Sequence, residues 1–300
     1  MDFKNKLILA PLEGVTCMPY RMLCKKYGAD IVISEMVNAN AIISAAKNLR
    51  TKLLIHESER PVGIQIAAPD KESAVKAVKI IENSVDFINI NIGCPSRLIM
   101  GSGCGAALLS QPRKIGEMVK AVVKCTDLPV TVKLRADNAV RNCKIIEENG
   151  AEAIAIHLRT IDQKGAGKPD LELLKEVKAA VNIPIIGNGG VNSVETAREM
   201  LQICDSVMIG TAAMGNPAIF NLIKHGLKNE KYEMLSGPEQ FLEFYELTKK
   251  YDFTDFVWLK SMSMYFTHGI SGASRIRVKL SGSKSIDEIL QIFEELTKNH

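Results

Sequence analysis

Eight short apolar runs lie within the first 225 residues, with amphipathic helical stretches between them. The pattern predicts an α/β protein built on parallel strands. Eight units of about 28 residues fit a closed (β/α)8 barrel, a TIM barrel, better than an open doubly wound sheet. Near Gly226 the alternation stops and only helical patterns continue, so the barrel is followed by a small C-terminal helical domain. The expected division is residues 1–228 for the barrel and 229–300 for the helices. No Gly-x-Gly-x-x-Gly follows the first strand, which argues against a dinucleotide-binding Rossmann unit.

In chain order the expected strands are Leu7–Ala10, Ile31–Ser34, Val62–Ala67, Val85–Ile90, Val130–Leu134, Ala153–His157, Pro184–Gly187 and Ser206–Ile209. Each is nearly continuous in apolar residues, as strands covered on both faces must be. Between them, Lys71–Glu82, Arg113–Cys125, Ala139–Asn149, Leu171–Val181 and Val194–Leu201 carry apolar residues at helical spacing. In the tail the expected helices are Pro238–Lys250, Phe253–His268 and Ile286–Lys298. Gly237-Pro238-Glu239 and Ser285-Ile286-Asp287-Glu288 supply start signals for the first and last of these.

The bulk composition excludes several classes. A 300-residue chain with 46% hydrophobic residues can bury a large core, and no apolar run approaches the roughly 18 residues of a membrane span. Met1-Asp2-Phe3-Lys4 leads straight into a strand-like segment without a signal-peptide pattern, so a cytoplasmic location is expected. Seven cysteines include no Cys-x-x-Cys pair and no Cys/His cluster, which points to reduced thiols rather than a metal or iron–sulfur site. The net charge of +4 is unevenly spread. Phe256 to Ile286 contains no acid and carries Lys260, Arg275, Arg277, Lys279 and Lys284, whereas Glu230 to Asp255 carries seven acids and three bases. A local basic surface of this kind suits phosphate contact; the plainer reading is a solvated helix face.

Barrel chemistry gathers at the C-terminal strand ends, and here those ends are polar one after another. They supply Ala10-Pro11-Leu12, Ser34-Glu35-Met36, Gln65, Asn91 with Cys94, Lys133 with Arg135, His157 with Arg159, Asn188-Gly189-Gly190, and Gly210-Thr211. Gly93 and Pro95 form a tight turn that places Cys94 at the barrel mouth, where a thiol can donate a proton or act as a nucleophile. The alternative is a small buried hydrophobe, the common fate of a free cysteine. Glycines after the seventh and eighth strands, in Gly187-Asn188-Gly189-Gly190 and Ile209-Gly210-Thr211, let a phosphate approach the backbone. Lys133 and His157 then suit a ring that gains negative charge on reduction, and flavin mononucleotide (FMN) meets both demands.

In this setting the chain resembles the tRNA-dihydrouridine synthase family. The resemblance rests on Leu9-Ala10-Pro11-Leu12-Glu13-Gly14-Val15-Thr16, Ser34-Glu35-Met36, and Asn91-x-Gly-Cys94-Pro95 with Gly101-x-Gly103-x-Gly105-Ala106-Ala107-Leu108-Leu109. It continues in family order through Val132-Lys133-Leu134-Arg135, His157-Leu158-Arg159-Thr160, Gly187-Asn188-Gly189 and Gly215-Asn216-Pro217. Lys260, Tyr265, Gly269 and Arg275 resemble the family's helical RNA-binding domain. The resemblance implies a flavoprotein oxidoreductase that uses FMN and a nicotinamide donor, NADPH or NADH, to reduce tRNA uridines to dihydrouridine. A uridine is turned out of the RNA into the barrel mouth. Flavin N5 gives hydride to C6, and Cys94 protonates C5. By the same resemblance Asn91 and Arg135 hold the uracil or its phosphate. Gln65, Lys133 and His157 contact the ring and ribityl chain, Asn188, Gly189, Gly210 and Thr211 lie at the phosphate end, and Pro11 and Leu12 pack under the ring. From the acid-free stretch, Lys260, Arg275, Arg277 and Lys279 are the residues expected to contact tRNA.

The chain departs from the family pattern at four places. Cys17 stands where Asp is frequent, with Thr16 expected to cap the following helix. Thr211 replaces a common arginine, which removes one charge partner of the cofactor phosphate, and Gly190 replaces a common acid. The loop from Ile161 to Gly167 lacks an aromatic residue. Two other readings stay open. A flavin barrel acting on a free pyrimidine, like dihydroorotate dehydrogenase, would not need the basic tail. A non-catalytic RNA-binding barrel would not need Cys94 beside a complete flavin rim.

Overall fold

The computed structural model describes residues 1–46, 49–163 and 166–298. Eight parallel strands close in sequence order, with the first paired to the eighth. They are β1 (Leu7–Leu9), β2 (Ile31–Asn38), β3 (Val62–Ala67), β4 (Phe87–Ile92), β5 (Val130–Arg135), β6 (Ala153–His157), β7 (Ile185–Asn188) and β8 (Ser206–Ile209). The helices that follow the strands are α1 (Met18–Lys26), α2 (Ala39–Ile43), α3 (Arg50–Leu53), α4 (Lys71–Ile81), α5 (Arg97–Gly101), α6 (Pro112–Cys125), α7 (Ala139–Glu148), α8 (Leu171–Ala180), α9 (Val194–Leu201) and α10 (Ile219–Leu227). The tail forms α11 (Gly237–Lys250), α12 (Phe256–Tyr265), α13 (Ala273–Gly282) and α14 (Ile286–Lys298).

Two strands differ usefully from the sequence expectation. β2 runs on to Asn38, past a register shift between Ile33 and Met36. Ser34 makes the shift possible, because its hydroxyl accepts from the Gln65 amide and donates to the Glu35 carbonyl. β4 begins at Phe87 and ends at Ile92, so Asn91 belongs to the strand rather than the turn after it. The displaced Asp86 accepts from the Val62 amide and pairs with Arg60.

Strand alternation divides the apolar residues into two sets. Outward-facing residues such as Ile88, Ile90 and Ile92 pack under the helices. Inward-facing residues, including Phe3, Ile8, Ile31, Ile33, Phe87, Ala153 and Met208, fill the barrel bottom. Phe3 and Phe87 meet edge to face at 5.6 Å, and Gly63 makes room for them: a Cβ there would lie 2.4 Å from the Phe87 ring. Above this plug the inward positions turn polar.

The helical region packs onto the barrel through aromatic rings. Phe241 stacks on Phe293 at 4.0 Å, and Tyr20 of α1 meets Phe244 at 5.4 Å. α11 begins at the expected Gly237-Pro238-Glu239 start, and a capping box there, in which Ser236 and Glu239 satisfy each other's amides, closes its first turn. α12 starts only at Phe256, because Asp255 accepts from the Trp258 amide and sets the cap. α13 was absent from the expectation. It has no side-chain cap and starts from Gly272 at φ 73°, so no start signal precedes it. Thr16 does not cap α1 either: its hydroxyl bonds both the amide and the carbonyl of Leu12 and closes the loop after β1.

Candidate active site

A cleft of about 800 Å³ opens at the carboxyl rim of the barrel. Of the residues expected to bind a cofactor, Pro11, Leu12, Lys133, His157, Asn188, Gly189, Gly210 and Thr211 all line it. Strand register explains the convergence, since Arg135, His157, Asn188 and Met208 are successive partners across β5 to β8, with Lys133 one inward position below. The outer wall comes from Met234 to Ser236, leading into α11, together with Gly237, Gln240 and His268. Sequence reasoning missed this wall, and Met234 and Leu235 carry no motif that could have marked it.

The electrostatics of the cleft are one-sided. Among the described residues its lining contains Lys133, Arg135 and Arg159 and no aspartate or glutamate. None of these three cations has a salt bridge among the described residues. Burial, reinforced by Arg135, brings the Lys133 ammonium down to about 8, with Cys94 acting the other way. Burial and the same three cations bring His157 down to about 3, so its imidazole is neutral at ordinary pH. His157 Nδ1 is buried and has no hydrogen-bond partner among the described residues. A group of cations without acidic partners is costly to keep buried unless an anionic ligand meets it.

Gly189 and Gly190 have φ of 101° and 96°, a region that side chains disfavour. A Cβ on Gly189 would also sit 3.2 Å from an Arg159 nitrogen and 3.3 Å from His157 Nε2. Asn188 Nδ2 donates to the Met208 carbonyl at 2.8 Å, tying the ends of β7 and β8 together beneath this turn.

Beside the cleft, an amide network leads to Cys94. Asn91 donates to Gln65 Oε1 at 2.7 Å, Gln65 donates to Asn89 Oδ1 at 2.6 Å, and Asn89 donates to Thr131 Oγ1 at 2.8 Å. Asn91 Oδ1 accepts from the amides of Gly93 and Cys94. Arg135 Nε donates to the Gly93 carbonyl at 2.8 Å, gripping the same turn from β5. Gly93 must be bare, because a Cβ would press on the β5 backbone 3.1 Å away. Gln65 and Asn91 are buried and lie outside the cleft lining. In this arrangement they hold the Cys94 loop.

Cys94 is half-buried, while Cys104 in the same loop is fully buried with its Sγ turned to the Ser102 carbonyl. Burial also pushes the Cys104 thiol up, further from the reactive thiolate. Glu35, at the rim end of β2, serves the loop after β1: it accepts from the Gly14 amide and pairs with Lys52 at 3.1 Å. The indole of Trp258, on α12, donates to the Gly14 carbonyl at 2.9 Å, so the helical region also holds this loop.

The basic residues of the tail have different surroundings. Lys260 Nζ donates to the carbonyls of Ser281 and Ser283 and closes the end of α13. Arg277 donates to Thr267 Oγ1 at 3.2 Å and is half-buried. Arg275 and Lys279 are exposed and one helical turn apart on α13. The sequence grouped all four, because linear charge does not show which cations a helix end consumes.

A parallel eight-stranded barrel with an acid-free cationic cleft at its carboxyl rim, beside a half-exposed thiol, defines a barrel enzyme built to receive an anionic ligand. The chain belongs to the dihydrouridine synthase family, whose sequence pattern it matches over residues 8–294. It is 39% identical to tRNA-dihydrouridine synthase B of Vibrio parahaemolyticus, covering 76% of this chain and 74% of that protein. It is 35% identical to the protein of the same name from Pseudomonas aeruginosa, covering 76% and 71% respectively. Among solved structures, an old yellow enzyme homologue from Zymomonas mobilis matches with a TM-score of 0.55 at 11% identity, over 77% of this chain and 90% of that one. The BexX/CysO complex of Amycolatopsis orientalis matches with a TM-score of 0.52 at 16% identity, over 78% and 96%. These two share the barrel fold.

Proposed function

We propose that this protein reduces uridines in tRNA to 5,6-dihydrouridine, with FMN in the rim cleft and NADPH or NADH as electron donor. One observation carries the cofactor part: an 800 Å³ cleft lined, among the described residues, by three cations and no acid, with none of the three in a salt bridge. The substrate part follows from the tRNA-dihydrouridine synthases that the chain resembles. Bound flavin supplies the hydride. Lys133 and neutral His157 would contact its ring, Pro11 and Leu12 would support it, and the bare turns at Gly189 and Gly210 would receive its phosphate end. Cys94, fixed by Asn91 and Arg135, gives a proton to C5 of the uracil ring. Reduction of a free pyrimidine would make no use of the cationic face on α13.

The direct test is to incubate the purified chain with unmodified tRNA, FMN and a reduced nicotinamide and map the product by mass. A gain of two hydrogens at defined uridines is expected. Turnover of dihydroorotate without any change in tRNA would replace this reading with the free-pyrimidine one, and a protein that neither binds flavin nor alters tRNA would leave an RNA-binding role.

Arg275 and Lys279 are the residues of the basic stretch best placed to meet RNA phosphates, with Arg277 at the flank. Removing two phosphate contacts makes the fall of log affinity with log salt shallower by about one to two units. Arg275→Ala/Lys279→Ala should therefore bind tRNA more weakly with a shallower salt slope, while retaining flavin. Arg277→Ala should mainly lower thermal stability, through its lost bond to Thr267. An unchanged slope in the double variant would remove α13 from the RNA surface.

A further inference from the structure

We propose that Arg159 is the charged partner of the cofactor's phosphate monoester. The inference rests on the flavin reading above and adds to it the residue that decides between a phosphorylated and an unphosphorylated flavin. Four observations place it there. Arg159 lies just past the end of β6 and lines the cleft. Its guanidinium runs along the bare turn after β7, since positions for a Cβ on Gly189 and Gly190 lie 3.2 and 3.6 Å from its two terminal nitrogens. Among the described residues only Nε is engaged, donating to the Gly167 carbonyl at 2.9 Å. The β8 loop, on the other side of the phosphate end, offers the uncharged Thr211.

The other two cations of the cleft are differently placed. Arg135 spends Nε on the Gly93 carbonyl beside Cys94, and Lys133 has Arg135 and Cys94 as its electrostatic neighbours. They belong to the reacting end. Arg159 is the cation at the glycine turn, and a guanidinium with both terminal nitrogens open matches the paired oxygens of a phosphate. The bareness of Gly190 fits the same role, because an acidic side chain there would meet the guanidinium and compete with the ligand. Nothing in this assignment requires Arg159 to touch the isoalloxazine ring.

The test compares FMN with riboflavin, which differ only in the phosphate. Flavin-free full-length chain is titrated with each, following flavin fluorescence, for the wild type, Arg159→Met, Arg159→Lys and Arg159→Met/Thr211→Arg. Loss of a charge-assisted contact predicts FMN affinity lower by roughly 10–100-fold in Arg159→Met, with riboflavin affinity changed less than about twofold. Arg159→Lys should retain part of the preference, and arginine at 211 should restore it from the β8 side. An FMN-to-riboflavin ratio that stays at the wild-type value in Arg159→Met overturns the assignment while leaving the flavin site intact. If Arg159→Met does not fold, a wild-type ratio in Arg159→Lys together with no effect of salt on FMN affinity overturns it. A wild type that binds neither flavin overturns this assignment and the flavin reading together.

Discussion

Cys94→Ala is expected to lose uridine reduction by a factor of roughly 10²–10⁴, the usual contribution of a positioned proton donor. Oxidation of the nicotinamide donor should continue, because that half of the reaction needs the flavin and not the thiol. The split is the diagnostic feature: a general loss of folding would lower both half-reactions. Two backbone amides anchored on Asn91 and a carbonyl gripped by Arg135 hold the loop whether or not residue 94 carries a thiol. The alanine variant should therefore stay folded. Cys104→Ala is the control, since Cys104 is buried beneath the same loop. It should lose stability, by a margin typical of a small core truncation, and keep its chemistry. An active Cys94→Ala protein alongside an inactive Cys104→Ala protein would move the proton donor to the other cysteine.

The second large effect is expected from Lys133→Met. Flavin affinity should fall by roughly 10–100-fold, as a charged hydrogen-bonding partner is replaced by an apolar chain of similar length. The flavin-free protein should melt a few degrees higher, because the ammonium has no salt-bridge partner among the described residues and its burial opposes folding. The pH dependence has a definite sign. Lys133 titrates at about 8 in the folded chain, below its ordinary value of 10.5. Between those values the unfolded chain holds a proton that the folded chain has released, so flavin-free stability rises with pH through that window. Below 8 the full cost of the buried charge is present. Binding of an anionic ligand follows the opposite course, weakening as pH rises through about 8. Both dependences should be reduced in Lys133→Met. A variant with wild-type flavin affinity and an unaltered pH profile would place the cofactor away from this lysine.

The sequence by itself determined the barrel and most of the cleft. Parallel strands buried on both faces must be apolar almost throughout, so their runs stand out, and the rim residues follow from each strand's end. Pro11, Leu12, Lys133, His157, Asn188, Gly189, Gly210 and Thr211 were legible for that reason, and all line one cleft. The tertiary structure decided what depends on partners distant in the chain. Asn91 and Gln65 read as ligand contacts, yet β3 and β4 bring them together as links of one chain, in which Asn91 donates to Gln65, Gln65 donates to Asn89, and Asn91 Oδ1 fixes the Cys94 turn. Lys260 read as an RNA contact, but the end of α13 takes its ammonium, and α13 itself lacked a start signal because a left-handed glycine precedes it. The outer wall of the cleft comes from residues 234–237, a stretch without periodicity that is brought there by the packing of α11, whose Phe244 meets Tyr20 of α1. Local pattern fixes which segments are strands and helices. Where a polar side chain spends its hydrogen bonds is set by neighbours tens or hundreds of residues away, and only the folded chain brings them together.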